Sequence, residues 1–363
     1  MNAHDALRLV PRELFIPETI WVRGDDLWMT PLRRGDAPEE WARLVALDDE
    51  AIITQVDDGA IDKGLRPTSS SSAPSVMAKM IDALKLRPGM GVLEIGAGTG
   101  YNAAIMAAIT GVDVTTVEVD PDVASHARLA VERGGYPVTV ITGDGRDGCS
   151  DRAPYDRVIA TVGIADVPYA WVEQTRSGGL ILMPWRNDLE QGGRMLTLTK
   201  QGDGSAVGKF GQGLSFMHLR QQRPSRFVSW VSDHEDGRYD QTITQVNPSE
   251  VLDGGAYDAK FAIGLMLANF TDGYTRNEDG SHTFRLSHYE SGSWAGFTPS
   301  DTGEHLVRQH GPRRLWDELE SAYHWWIESG RPGPTRFGLT VTPMGQRIWL
   351  DEPDNLVDPA PGT

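Results

Sequence analysis

The chain of 363 residues holds one cysteine, Cys149. A single thiol excludes an internal disulfide and a thiolate zinc cluster. Cys149 therefore reads as a small packing residue rather than a nucleophile. Lysine is scarce as well: six of the 34 basic residues are lysines, against 51 acidic residues, for a net charge of −17. So acidic a chain repels phosphate backbones and anionic lipid, which argues against nucleic-acid and membrane partners. No stretch approaches the roughly 18 uninterrupted apolar residues of a membrane span. The opening MNAHDALRLVPRELF has no basic region followed by an apolar core, so no signal peptide is expected and the cytoplasm is the expected location. His282, His288, His305 and His310 lack a ligand spacing such as H-E-x-x-H, and no metal is expected. No internal repeat is found.

What is present is a globular composition, with 39% apolar and 23% charged residues. The length exceeds that of one ordinary domain. PRELF and EEWARLVAL carry helical spacing in the first 50 residues. Residues 57–75, DDGAIDKGLRPTSSSSAPS, read as a loop with five consecutive hydroxyl residues from Thr68 to Ser72, a composition typical of a flexible linker. The loop opens into an amphipathic helix, SVMAKMIDALKL, which Ser72 or Ser75 is placed to cap.

From there strands and helices alternate. GMGVLEIGAGTG reads as a buried strand and a glycine turn, YNAAIMAAITG as a helix stopped by Gly111, VDVTTVEVD as a strand, and PDVASHARLAVERGGY as a helix with Pro121 in its first turn. VTVITGD and YDRVIATVG are further strands. VPYAWVEQTRSGG is a helix ending at its glycines, LILMPW a fifth strand, and RMLTLTKQ with LSFMHLRQQ a closing antiparallel pair. The expected fold is α/β: a Rossmann-like, mostly parallel sheet covered by helices, with a terminal antiparallel pair. From about Pro224 the pattern is mixed: SRFVSWVSD, KFAIGLMLANF, SHTFRLSHYE, GSWAGFT, the amphipathic helix in RRLWDELESAYHWWIESG, and FGLTVTPMGQRIWLD. The expected division is a domain at 1–224 with an N-terminal helical segment, a smaller α+β domain at 225–350, and a disordered tail at 351–363. Trp316, Tyr323, Trp325, Trp326 and Trp349 make the second part aromatic-rich, read as core packing in the first instance and as a peptide-binding platform in the second. Arg313, Arg314 and Arg331 read as solvated surface.

Gly96, Gly98 and Gly100 follow the strand VLEI directly, where glycine lets the backbone turn sharply and a ligand lie against it. Glu118 ends the next strand about 20 residues on, where a carboxylate accepts hydrogen bonds from ribose hydroxyls. Asp144 and Gly145 end the third strand, where a carboxylate accepts an exocyclic amine of adenine. Three strand ends thus converge at the carboxyl edge of a parallel sheet, the place where such folds bind nucleotides. A nicotinamide dinucleotide and an adenosyl cofactor both fit this layout, but a dinucleotide prefers G-x-G-x-x-G and the order here is G-x-G-x-G.

The form Glu94-Ile95-Gly96-Ala97-Gly98-Thr99-Gly100 resembles motif I of class I S-adenosylmethionine-dependent methyltransferases. With VPRELFIPE, SSAPSVMAKMIDAL, GDGRDG, APYDRVIATVGIADVP and SGGLILMPW in the same order, residues 8–220 resemble the protein-L-isoaspartate O-methyltransferase family. The resemblance implies S-adenosyl-L-methionine as cofactor and S-adenosyl-L-homocysteine as product. It implies that Ser72, in Ser72-Ala73-Pro74, is the active-site residue beside the methyl group and the substrate carboxylate, with Ser70, Ser71, Thr161 and Val162 positioning the substrate. The cofactor-binding set it implies is Ser69, Met77, Glu94, Gly96, Gly98, Thr99, Gly100, Glu118, Val119, Asp144 and Gly145. Tyr101 is expected either over the cofactor or in the core.

The chain departs from that family at Ser70-Ser71 before the serine, at Ser75-Val76-Met77 after it, and at Thr161-Val162-Gly163-Ile164, and it continues long past the last family motif. The extension resembles the C-terminal domain of actinobacterial relatives associated with ribosomally made modified peptides: lanthipeptides, graspetides and lasso peptides. That resemblance implies methylation of an aspartate side chain in a macrocyclic peptide, the ester then closing to an aspartimide. The alternative is L-isoaspartyl methylation in the repair of damaged proteins. A binding protein that keeps the cofactor pocket without turnover, and a methyltransferase of small molecules, are further alternatives. The expected partner is accordingly a modified precursor peptide or an isoaspartyl protein.

Overall fold

The computed structural model describes residues 1–190, 192–223, 239–252, 257–267, 269–277, 282–288, 290–300 and 302–357. Helix α1 (Ala3–Leu9) is capped by the Asn2 side chain, which accepts from the Asp5 amide at 2.8 Å. A 3-10 turn at Arg12–Phe15 leads into strands β1 (Thr19–Arg23) and β2 (Met29–Arg33), then helix α2 (Pro38–Val45), β3 (Ile52–Val56) and β4 (Pro67–Ser71). These four strands form an antiparallel sheet in the order β2-β1-β3-β4. The hydroxyl run expected as a linker is therefore largely a strand. Ser69, Ser70 and Ser71 pair with β3, and the Thr68 hydroxyl donates to the Gln55 side chain at 2.7 Å. Tertiary pairing overrides the weak strand propensity of serine. Neither serine caps the next helix, α3 (Pro74–Leu84). Its cap residue is Ala73, which makes no side-chain capping bond, and Pro74 supplies the preset first turn.

Next come β5 (Val92–Ile95), α4 (Tyr101–Thr110), β6 (Val114–Glu118), α5 (Pro121–Gly134), β7 (Val138–Thr142), β8 (Tyr155–Ala160), α6 (Tyr169–Glu173), β9 (Thr175–Trp185), β10 (Arg194–Lys200) and β11 (Ala206–Gly213). Strands β5 to β9 are parallel in the order β9-β8-β5-β6-β7, so the chain reverses direction across the sheet between β5 and β8. A ligand crevice is expected outside the carboxyl ends of those two strands. β5 is buried along its whole length, as a central strand covered on both faces must be. Helices α1, α3, α4 and α5 cover one face through Ala6, Met77, Met80, Ile81, Ile105 and Ala127.

The N-terminal segment, expected as short helices and loops, also carries the paired strands β1 and β2, and two elements around the central sheet differ as well. The helix before β9 stops at Glu173, and Gly178 and Gly179 lie inside β9 rather than after a helix. A Cβ on Gly179 would meet the carbonyl oxygens of Arg176 and Asp156 at 2.8 and 2.9 Å, so this bend needs glycine. The partner of β10 is β11, Ala206–Gly213, rather than LSFMHLRQQ, which follows it as an irregular segment ending in a 3-10 turn at Arg220–Gln222.

The remaining elements are β12 (Asp240–Thr244), α7 (Pro248–Leu252), α8 (Tyr257–Met266), β13 (Phe270–Arg276), β14 (His282–His288), β15 (Trp294–Thr298), β16 (His305–His310), α9 (Leu315–Glu328), β17 (Phe337–Thr342) and β18 (Gly345–Leu350). Strands β12 to β16 make an antiparallel sheet, β12-β16-β15-β14-β13, whose Leu286, Phe297 and Val307 pack with Trp316 and Leu319 of α9. Trp316 and Tyr323 are thus core residues, while Trp325 and Trp326 are half-buried.

The stretch 225–350 does not keep to itself. β17 pairs with β11 and β18 with β17, extending the central sheet to nine strands. Gly338 makes this possible, since the Trp349 ring lies where a Cβ would be, 2.1 Å away. One core runs from Leu93 and Trp171 through Trp185, Phe210 and Phe261 to Phe297 and Phe337. SRFVSWVSD lies outside the described residues. So do residues 358–363 of the expected disordered tail, whereas 351–357 fold back, with Leu356 bridged to Trp349 and Val357 buried. Among the described residues no helix is long and apolar enough to cross a membrane, and no group of acidic, histidine or cysteine side chains is arranged to hold a metal.

Candidate active site

A crevice opens at the carboxyl ends of β5, β6 and β8. Its floor is the glycine turn. Gly96 and Gly98 have φ of 93° and 52°, in the left-handed region. Gly98 also needs its missing side chain, because a Cβ would sit 2.8 Å from the Ser70 carbonyl oxygen. The turn is therefore clamped under β4, and the serine run is brought over the carboxyl ends of the parallel strands.

Glu118 ends β6 and accepts the Gly98 and Asp120 amides on separate carboxylate oxygens, both at 3.1 Å. Burial pushes its carboxyl above the usual range; those two amides and Arg220 pull the other way without cancelling it. A carboxylate has about four lone-pair sites, so Glu118 keeps capacity for two hydroxyl donors. Glu94 is fully buried and accepts from Asn102 and Thr116, both at 2.7 Å. Burial pushes its carboxyl up to about 7 despite those bonds. The Asn102 side-chain oxygen Oδ1 is buried without a partner, an unmet acceptor in the cavity wall. Thr161 closes the β8 side, donating to the Gly96 carbonyl at 2.7 Å.

Ser69, Ser70, Ser71, Ser72, Met77, Glu94, Gly96, Gly98, Thr99, Glu118, Val119, Gly145, Thr161 and Val162 all line this one crevice. Two of the predicted residues do not. Gly100 caps α4 behind the floor, with Val131 packed where its Cβ would be. Asp144 caps the 3-10 turn Gly145–Asp147, and its carboxylate is held by the Arg146 guanidinium at 2.7 and 3.0 Å. The Arg146 hydrogen bonds lower its pKa. Tyr101 lines the crevice and also packs on Phe15, with ring centroids 5.5 Å apart.

Two contributors were not identified from the sequence. The first is Arg12, whose buried guanidinium donates to the carbonyls of Val45, Leu47, Glu50, Ser71 and Ser72, at 2.8 to 3.3 Å. It pins the end of β4, and Ser72 with it, to the N-terminal segment. The signal was its position in the apolar frame of VPRELF. The second is the segment Met217–Arg223. Its main chain docks on Gly163, which donates to the Met217 carbonyl and accepts from the Leu219 amide, at 2.6 and 2.9 Å. This places His218, Arg220 and Arg223 on the wall. Burial, with Arg186 and Arg223 nearby, pushes His218 down to about 4, so it is neutral at pH 7.

The family model of protein-L-isoaspartate(D-aspartate) O-methyltransferase matches residues 48–223. A protein-L-isoaspartate O-methyltransferase of Ignicoccus hospitalis is 36% identical over 183 residues, covering 50% of this chain and 71% of that protein. The chain belongs to the protein-L-isoaspartate O-methyltransferase family. A relative of the same name from Hyperthermus butylicus is 43% identical over 124 residues, and there the chain spans 52% of the relative's length. A solved structure of a protein-L-isoaspartate O-methyltransferase shares the fold at a TM-score of 0.55 and 22% identity, covering 96% of this chain and 95% of that one. The alignment therefore extends over the C-terminal part as well. The fold is that of class I S-adenosylmethionine-dependent methyltransferases, a family of enzymes, and the crevice fits their cofactor: a glycine floor without Cβ atoms, spare acceptor capacity on Glu118, and buried acceptors on Glu94 and Asn102 in the wall.

Proposed function

We propose that the chain transfers a methyl group from S-adenosylmethionine to the carboxylate of an isoaspartyl residue in a peptide or protein, with Ser72 beside the reacting carboxylate. The carrying observation is that Ser72 shares one crevice with Glu118 and the glycine turn. When bound, the cofactor supplies an electrophilic methyl on a sulfonium. Glu118 receives the ribose hydroxyls; Glu94 and Asn102 give the cationic end an acidic, buried surrounding. A peptide carboxylate, with an ordinary pKa of about 3.9, is ionised at neutral pH and needs no strong base. What the protein must supply is orientation and a dry path. The Ser72 hydroxyl makes no hydrogen bond within the described residues, and it serves as the donor that fixes the acceptor oxygen. Arg12 acts through the Ser71 and Ser72 carbonyls as a positioning residue. The methyl ester then closes when the backbone nitrogen of the following residue attacks it, expelling methanol and leaving a five-membered imide. No side chain of this chain is required for that step.

A second reading is the aspartate of a macrocyclic, ribosomally made peptide, its ester closing to aspartimide, with residues 225–350 engaging the peptide. It is favoured by Thr161 and Val162 in the crevice wall, where the chain departs from the family pattern. Mass spectrometry with S-adenosylmethionine separates the two. One arm is a linear isoaspartyl peptide, the other an aspartate-containing macrocycle. A gain of one methylene on the linear peptide supports the first reading; a methylene gain followed by net loss of water on the macrocycle alone supports the second. Transfer to neither refutes both.

A further inference from the structure

Two guanidiniums stand at the rim of the crevice with one half-exposed carboxylate between them. Arg223 donates to both oxygens of Asp58 at 2.9 Å, and Arg220 lies 3.3 Å from the same carboxylate. Arg220 has a second, buried partner in Asp120 at 3.2 Å, a carboxylate already committed to capping α5 and to Gln55. Asp58 sits at the turn after β3 with φ of 55°, its amide bonded to the Thr68 hydroxyl. Its side chain is 47% exposed, while that of Arg223 is 15% exposed. The cations therefore belong to the crevice wall and the anion to the solvent side.

We propose that Arg220 and Arg223 form a subsite for a second, non-reacting carboxylate of an acidic acceptor peptide, and that Asp58 occupies this subsite in the free protein. The proposal rests on the reading that the acceptor is a peptide. The reacting carboxylate is a poor occupant. Its charge vanishes on methylation, so a cation against it would hold the ground state more tightly than the transition state. A flanking Asp or Glu keeps its charge throughout. It can replace Asp58 at small cost, because ion pairs with an exposed partner contribute little and the displaced carboxylate is rehydrated. The neutral Ser72 hydroxyl is left for the reacting group.

The test is equilibrium binding by fluorescence anisotropy, with the full-length protein in the presence of S-adenosylhomocysteine. The probes are isoaspartyl peptides in which one glutamate or one glutamine is moved through the flanking positions. At one position the glutamate peptide should bind about tenfold tighter than its glutamine twin, the size of one charge-assisted hydrogen bond. Arg223→Gln should remove that preference, Asp58→Asn should enlarge it, and 1 M salt should collapse it, since the Debye length then falls to about 3 Å. Equal binding of every pair, or a preference that survives both Arg223→Gln and Arg220→Gln, overturns the proposal. Methyl transfer to the same peptides is scored separately. Transfer without a charge preference refutes the subsite alone; a charge preference without transfer supports the subsite and refutes isoaspartate as the reacting group.

Discussion

Arg12 connects the stability of this protein to its chemistry, and replacing it tests that connection. Its guanidinium serves five main-chain carbonyls, of which the contacts to Val45 and Ser71 are wholly buried. Burial lowers its pKa to about 10, which leaves it charged at neutral pH. In Arg12→Met the partly buried Leu47, Glu50 and Ser72 carbonyls can turn to water. Those of Val45 and Ser71 cannot, and a buried acceptor without a partner costs about 1–3 kcal/mol. The expected loss is therefore about 2–6 kcal/mol, read by urea denaturation. Arg12→Lys keeps the charge but not the planar fork and should fall between the two. The catalytic consequence is more specific. Arg12 touches Ser71 and Ser72 and neither Glu118 nor the glycine turn. At a temperature where the variant is folded, S-adenosylhomocysteine affinity by calorimetry should stay within about twofold. Turnover should drop by about a hundredfold, as expected for a displacement of about 1 Å at the reacting centre. A stability change under about 0.5 kcal/mol, or cofactor affinity falling in step with turnover, refutes this account of Arg12.

Three further outcomes are expected. Glu118→Ala removes the acceptor of two amides and of the ribose, and should weaken S-adenosylhomocysteine binding by about 10- to 100-fold in calorimetry. Glu94 has its folded pKa raised from 4.5 to about 7. Its protonated form therefore favours the fold below about 4.5, and that advantage is lost as pH rises through about 7. At about 1.4 kcal/mol per pKa unit, the stability of Glu94→Gln relative to the parent should improve by roughly 3 kcal/mol between those limits; a difference independent of pH contradicts the assignment. Truncation after Arg223 removes β17 and the apolar residues packed on Trp185 and Phe210, exposing the edge of β11. The truncated chain should aggregate, and a soluble monomer with unchanged cofactor affinity would show that the central sheet stands alone.

The parallel sheet, its helices and the glycine turn are legible because propensity and punctuation agree: VLEI and VTTVE are short runs rich in β-branched residues, and Gly111, Pro121 and Gly135 mark helix ends. The crevice residues were found where a motif ties chemistry to a strand end, as at Gly96, Gly98 and Glu118. What was missed depends on partners distant in sequence. A serine run has no strand signal of its own; β4 exists because β3 lies beside it. LSFMHLRQQ alternates like a strand, yet β11 has β17 on its free side, so that segment turns along the crevice instead. Arg12 in a 3-10 turn looks like surface charge until the carbonyls around it are known. Asp144 differs: its strand-end position and the family motif both point to it, and neither registers the ion pair with Arg146 two residues on. The boundary at residue 224 followed a change in composition, which does not reveal that FGLTVT returns to the first sheet.

The most direct test of the central claim is methyl-labelled S-adenosylmethionine with the full-length protein and a linear isoaspartyl peptide, followed by mild base. A carboxyl methyl ester is labile to base, unlike a methylated amine or ether. The account predicts label in the peptide that is released as methanol on base treatment, and little label with Ser72→Ala despite intact cofactor binding. Label that survives base, or cofactor binding with no transfer to any peptide carboxylate, would contradict it.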